Sequence, residues 1–478
     1  MKTTALLGLC ALLTACVAPV PVENRGLTPK ISEQTTQSTV SGLLDSSMPL
    51  YLWNEAESRY EIHMIDLSTG QDVPSHAPFV VGENQFTGPT TLSPNGQKLA
   101  IVAANSEYCY STGGGTACMG RADVLHIIDI GDWQEVMATL SGKGWAGPIS
   151  FSPDIMQLAL IFNEPKSSIV MLFDTGTGEL ITQREVAFHA SLMEYTSDGA
   201  TLVLYGQPLG SNPGISKPDP PRVVLMDAMT LEVKWEQELP SIVSGYWCVE
   251  KCDQSHGEQT FVEWAPAVAL SPKENKLYIV HANEEQLTTI DLNARMLHTV
   301  KIREKQSLLE RLLTLTADIA QAKGDSNGVF KAGVLSPDGT RLYVIGQIMS
   351  AKADTDGNSQ ATRQSLGLEV IEVATGQKLL SAEKEGTWIK IMPDGANLLL
   401  GTWGQGQTTI LDQDSLKSVV DLGQWDVIAA RGRNGQQNIL ASQSGQSPSQ
   451  LAVLDPLTFQ IIRSWSLPTS YASWISTP

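Results

Sequence analysis

The sequence is poor in positive charge. Thirty-two Lys and Arg stand against 51 Asp and Glu, a formal net charge of −19. So acidic a chain repels phosphate backbones and anionic lipid, which excludes nucleic-acid binding and means that membrane attachment cannot come from a basic patch. Cysteine is scarce, six in 478 residues. No G-x-S-x-G elbow is present, and no Gly-Lys-Ser/Thr follows the glycine cluster at 113–115, so neither a nucleophile elbow nor a phosphate cradle is written here. The apolar run near the start, Ala5 to Leu13, falls well short of the ~20 residues that span a bilayer.

That run suits the core of a secretory signal, with Lys2 supplying the preceding positive charge. Leu13-Thr14-Ala15-Cys16 follows and resembles the lipobox of bacterial lipoproteins. The resemblance implies cleavage before Cys16, lipidation of Cys16 and residence in the cell envelope. Val17 stands where an aspartate would mark inner-membrane retention, so the outer membrane is implied where there are two. An ordinary secretory signal is the alternative. Residues 17–50 are rich in Pro, Ser, Thr and Gln and short of large apolar groups, which describes a flexible tether. The division is therefore a signal peptide at 1–15, a tether at 16–48 and a folded domain at 49–478.

Two phrases then alternate along the chain. The first is a turn followed by an apolar run: SPNGQKLAIV from Ser93, SPDIMQLALI from Ser152, TSDGATLVLY from Thr196, SPKENKLYIV from Ser271, SPDGTRLYVI from Ser336, MPDGANLLLG from Met392 and a worn GRNGQQNILA from Gly432. Proline presets φ, Asp or Asn bonds nearby backbone, and Gly takes the left-handed conformation of a tight hairpin. The second phrase is an apolar run ending in an acid, at Asp66, Asp129, Asp174, Asp227, Asp291, Glu372, Asp412 and Asp455. Each acid stands where a strand meets a turn, so the expected role is capping backbone N–H groups, not catalysis.

Paired hairpins recurring every ~40–80 residues indicate a β-propeller, whose four-stranded sheets bury their faces only against neighbouring sheets. The phrases resemble the YVTN and WD40-like propeller repeats of bacterial surface proteins, most closely at Leu277 to Ile302. This implies an all-β fold and leaves function open, because propellers host many activities. Eight acid-ended strands but seven turn phrases mean that the first blade lacks its innermost strand. The leftover segment Ser470 to Ser476 is expected to supply it, closing an eight-bladed ring; seven blades follow if the worn copy is discounted.

With strands ordered a to d from the axis outward, a–b and c–d turns share one face of the disc, here called the turn face. The long insertions fall on the opposite, insertion face: 105–122, 206–221 and 347–367 as b–c loops, 240–266 and 303–329 as crossings between blades. The last crossing carries Leu308, Leu309, Leu312, Leu313, Leu315, Ile319 and Ala320 at helical spacing and is predicted to form an amphipathic helix.

Four cysteines remain after Cys10 and Cys16: Cys109, Cys118, Cys248 and Cys252. In an exported chain they suggest disulfides, with three possible connectivities. The alternative is a metal. Cys248, Cys252 and His256 at i, i+4 and i+8 are similar to the ligand loop of the binuclear copper A centre, although Gln259 replaces its methionine and no cupredoxin domain accompanies it. Asp354 and Asp356 partly resemble a calcium loop, against which Lys352 and Arg363 stand at the outer positions. Tyr108, Tyr110, Tyr246, Trp247 and Trp264 make the insertions aromatic, as interfaces are, though they would equally pack the insertions down. His63 and His126, within c strands, are read as structural.

The expectation is a lipid-anchored envelope propeller without cofactor that binds a protein, peptide or glycan through its insertion face. The rival is an enzyme or redox protein, either a lactonase-like hydrolase using the axial channel or a copper site at Cys248, Cys252 and His256.

Overall fold

The computed structural model describes residues 47–474, leaving out 55–58, 75–76, 84–85, 105, 113–114, 122–123, 132, 141–143, 165–166, 208–218, 251–259, 272, 305–327, 354–358, 393–394, 403–406, 432–436, 444–448 and 468–471. Among these residues every regular element is a β-strand.

Eight blade sheets, each built on antiparallel strands, follow one another along the chain. Their inner strands are Phe86–Leu92, Trp145–Phe151, His189–Tyr195, Ala267–Ser271, Gly328–Leu335, Trp388–Ile391 and Asp426–Arg431 for blades 2 to 8. In blade 1 the inner strand is Ala472–Trp474, which pairs with Ser47–Asn54 through Leu50↔Trp474, Tyr51↔Ser473 and Leu52↔Ala472. The chain end thus enters the first sheet, as the count of phrases required. The strand Ser47–Asn54 opens two residues earlier than the expected boundary at 49, with Ser47 paired to Asp66.

Alternation along each strand sends apolar side chains to both faces of a blade, and each face is buried against the next blade. Eight apolar clusters result, one per interface. The closing interface joins Leu50, Ile65 and Leu67 of blade 1 to Leu440, Leu451 and Val453 of blade 8, with Trp465 packed against them.

The turn face repeats two hydrogen-bonded templates. In the a–b turn the leading hydroxyl does more than the sequence suggests. Ser336 Oγ donates to Asp338 Oδ1 at 2.5 Å and accepts from Arg341 N at 2.9 Å, tying both ends of the turn together. Ser93 with Asn95 and Lys98, and Thr196 with Asp198 and Thr201, repeat this arrangement. In the c–d turn the acid caps backbone, as expected. Asp174 Oδ1 accepts from Gly176 N at 2.9 Å and Thr177 N at 2.8 Å, and Asp66, Asp129, Asp227, Asp291, Asp412 and Asp455 do likewise. Glu372, one methylene longer, instead accepts from the Thr375 hydroxyl at 2.5 Å.

His63 and His126 pair with carboxylates at the outer part of blades 1 and 2. His63 lies 3.1 Å from Glu61 and 2.8 Å from Asp72, and His126 meets Glu135. The segment predicted to be helical lies outside the described residues except at its start, where Arg303–Glu304 pairs in parallel with Gln377–Ala382.

Candidate functional site: the insertion face and the axial channel

Among the described residues, three hairpins rise from the insertion face. Between the b and c strands of blade 2, Ser106–Thr112 pairs with Gly115–Arg121 and rests against the inner strands of blades 2 and 3. Between blades 4 and 5, Gly245–Glu250 pairs with Thr260–Ala265. The latter strand also runs parallel to Gly328–Leu335, with Trp264 opposite Val329, so the hairpin is continuous with the sheet of blade 6. The third was expected as a loop. Residues 347–367 instead prolong the two middle strands of blade 6, which pair from Arg341↔Glu372 out to Ala353↔Ser359, because the two arms can satisfy their backbone groups on each other.

These hairpins carry the aromatic and cysteine residues singled out in the sequence. Tyr108, Cys109 and Tyr110 lie on one arm of the first hairpin, and Cys118 on the other directly opposes Cys109 in register. Tyr246, Trp247 and Cys248 lie on the second hairpin, where Trp264 is half-buried. The structure therefore sets Cys109 beside Cys118 and puts Cys248 on a different hairpin. Cys252, His256, Asp354, Asp356 and Cys16 fall outside the described residues, and among those described no group of three or more His, Cys, Asp or Glu has metal-binding geometry.

Below the hairpins, blades 5 and 6 share a buried polar chain that sequence reading missed. Lys331 Nζ donates to the carbonyl of His281 at 2.7 Å, and Lys378 pairs with Glu369 at 2.6 Å. His281 is fully buried, with Nε2 2.8 Å from the Thr288 hydroxyl, itself 2.8 Å from that of Thr299. Burial holds the ammonium of Lys331 and the imidazole of His281 below their usual ranges, so His281 is neutral at pH 7.

Nearer the turn face, the inner strands of blades 4 and 7 carry Glu194 and Lys390. Each stands two residues before its a–b turn. Blades 2, 3, 5, 6 and 8 hold Thr91, Ser150, Ala269, Val334 and Ala430 there. Both charged side chains are reached by solvent, yet desolvation raises the carboxyl of Glu194 and lowers the ammonium of Lys390. Extending the aligned turn phrases two positions upstream exposes these two departures.

Eight sheets around an axis, each interface closed by its own core, define an eight-bladed β-propeller. No family model and no curated protein matches the chain. Among solved structures it is similar to the dihydro-heme d1 dehydrogenase NirN in complex with DHE, at TM-score 0.55 and 10% identity over 91% of this chain and 76% of that one. That likeness shows the fold. A eukaryotic initiation factor matches at TM-score 0.48 and 12% identity, over 90% and 99% of the two chains. Hydrazine synthase of Kuenenia stuttgartiensis matches at 0.36 and 18%, over 66% and 80%.

Proposed function

We propose that the chain is a binding module of the bacterial cell envelope, held by lipid on Cys16 and engaging a protein, peptide or glycan through its insertion face. The observation that carries this reading is the gathering of three hairpins, Ser106–Arg121, Gly245–Ala265 and the prolonged arms of blade 6, at one end of a ring whose other end, among the described residues, has tight turns. Repeat folds elaborate the face that meets a partner, because loops there vary without disturbing the cores between repeats. Tyr108, Tyr110, Tyr246, Trp247 and Trp264 put residue types favoured at interfaces on those hairpins. The register of Cys109 with Cys118 supports a cystine that stiffens the first hairpin, since directly opposed residues in an antiparallel pair are ~4.5–5.5 Å apart at Cα, within the range a disulfide spans. Stiffening a recognition loop lowers the entropy lost on binding.

Photo-crosslinking in cells tests the reading. A crosslinking amino acid at position 108 or 246 should give discrete covalent adducts, and the same group at Thr177 or Thr230 on the turn face should give none. Adducts from the turn face alone, or from neither face, overturn it.

A further inference from the structure

We propose that Met137, Met156, Met229 and Met296 form an oxidant-accepting surface, where a peroxide converts thioether to sulfoxide without disturbing the ring. The methionines divide sharply by exposure. Met64, Met171, Met193, Met226 and Met392 are 0–3% exposed and belong to the cores between blades. Met137, Met156, Met229 and Met296 are 59–68% exposed. Among the described side chains no methionine falls between the two groups.

The exposed four stand one to a blade, in blades 2 to 5. Met137 lies in the outer strand Glu135–Thr139 of blade 2, and Met156 in the a–b turn of blade 3. Met229 lies in the c–d turn of blade 4, and Met296 opens the outer strand Met296–Lys301 of blade 5. Exposure this high means that packing does not call for these side chains. Nor does turn chemistry. At the step from Asp291 to Met296, the seven other blades reach Gln, Glu or Lys from their own acid. Where blade 3 has Met156, other a–b turns have Gln97, Ala200, Asn275, Thr340 and Ala396. The repeat therefore forms without a thioether at these places. The turn bonds of Met156 and Met229 run through their amides, which donate to Asp154 and Asp227 and are untouched by a change at sulfur.

The chemistry follows from access to sulfur. A lone pair of the thioether attacks the distal oxygen of a peroxide, and the S–O bond forms as the O–O bond breaks. The sulfur gives up two electrons; the peroxide takes them and leaves as water or an alcohol, carrying the proton of the distal oxygen. Sulfoxide is polar and chiral, so its consequences depend on where it forms. On the exposed four it is solvated by water. In the buried five it would put a polar group into an apolar core, and oxidant reaches those sulfurs only when an interface between blades opens. The exposed positions thus take up oxygen while the interfaces that hold the ring stay reduced. The inference rests neither on the lipid anchor nor on the partner surface proposed above.

Hydrogen peroxide is the probe, applied to the intact protein at pH 7 and followed by timed peptide mapping in a mass spectrometer. Each of the four exposed methionines should gain one oxygen at a rate within about threefold of N-acetylmethionine in the same solution, and the five buried ones at least roughly tenfold more slowly. In denatured protein the two groups should oxidise alike, which assigns the native difference to burial. Exposed and buried positions oxidising at one rate in the native protein, or the exposed four lagging N-acetylmethionine by tenfold or more, overturns the inference. Met137→Gln, Met156→Gln, Met229→Gln and Met296→Gln combined imitate the polar product and should leave the midpoint of denaturant unfolding unchanged. A lowered midpoint in that variant also overturns it, by showing that the ring depends on these thioethers.

Discussion

On the turn face, the described connections follow two templates, with hydroxyl and carboxylate oxygens bonded to the same backbone positions blade after blade. On the insertion face the connections differ from one another: a separate two-stranded hairpin resting on blades 2 and 3, a crossing hairpin fused to blade 6, and a 13-residue strand that runs past the sheet. Both faces join the same strands, so the difference is not one of chain connectivity. It teaches where stability is kept. The templates hold blade geometry, and the insertions pair backbone groups among themselves or, in the second hairpin, with the inner strand of blade 6.

The sharpest way to break this contrast is to damage the turn face where it also closes the ring. Gly70 ends the c–d turn of blade 1 at φ 71°, and a Cβ there would stand 1.8 Å from the Trp465 ring of blade 8. Gly96 has a similar φ of 68°, and nothing lies within 4 Å of its Cβ position. Gly70→Val combines left-handed strain with overpacking of the closing core and is expected to cost about 3–5 kcal/mol, against about 1–2 kcal/mol for Gly96→Val. Denaturant unfolding measures both. Equal losses would show that the closing interface yields as easily as open solvent.

How far this was legible in the sequence divides along the same line. Turn residues and acid-ended strands are local and repeat, so the eight blades and the entry of Ala472–Trp474 into the first sheet could be counted. Capping by Asp174 or Asp455 followed from position alone. The hydroxyl bridge of Ser336 repeats equally, but Ser and Thr open turns of many kinds and do not by themselves announce a bond to both ends. The parallel pairing of Trp264 with Val329 joins segments 65 positions apart, and no local pattern encodes it. Glu194 and Lys390 required the opposite reading, for departures from the repeat.

The turn acids also give the ring a pH dependence. Hydrogen bonds from the Ser336 hydroxyl and from Thr340 hold the Asp338 carboxyl at about 2, below its ordinary 3.8. A depressed native value means that the carboxylate stabilises the fold fully above pH 4, and that this contribution disappears as pH falls through about 2. Asp154, Asp174, Asp198, Asp412 and Asp455 are shifted in the same direction. Thermal stability should therefore fall between pH 4 and 2. Asp338→Asn, which can still accept the backbone bond, should lower stability modestly at pH 7 and flatten that fall, so that variant and wild type converge near pH 2. Parallel curves would show that the titrating groups lie elsewhere.

The smallest effect is expected where a template is imperfect. In the a–b turn of blade 3, Ile155 occupies the place of glycine and takes φ 62°. A β-branched side chain in the left-handed region is strained by about 1–2 kcal/mol. Bulky residues also take this conformation in c–d turns, at Leu231, Leu416 and Phe459, but those side chains are buried in the cores between blades, which offsets the strain. Ile155 is only half-buried, and its carbonyl, which accepts from the Thr175 hydroxyl at 2.6 Å, survives substitution. Ile155→Gly relieves the strain at the expense of some unfolded-chain entropy and should raise stability by about 0.5–1 kcal/mol in denaturant unfolding. A loss of stability would mean that the Ile155 side chain is held by the blade as firmly as Leu231, and that the turn face tolerates no departure from glycine without a compensating contact.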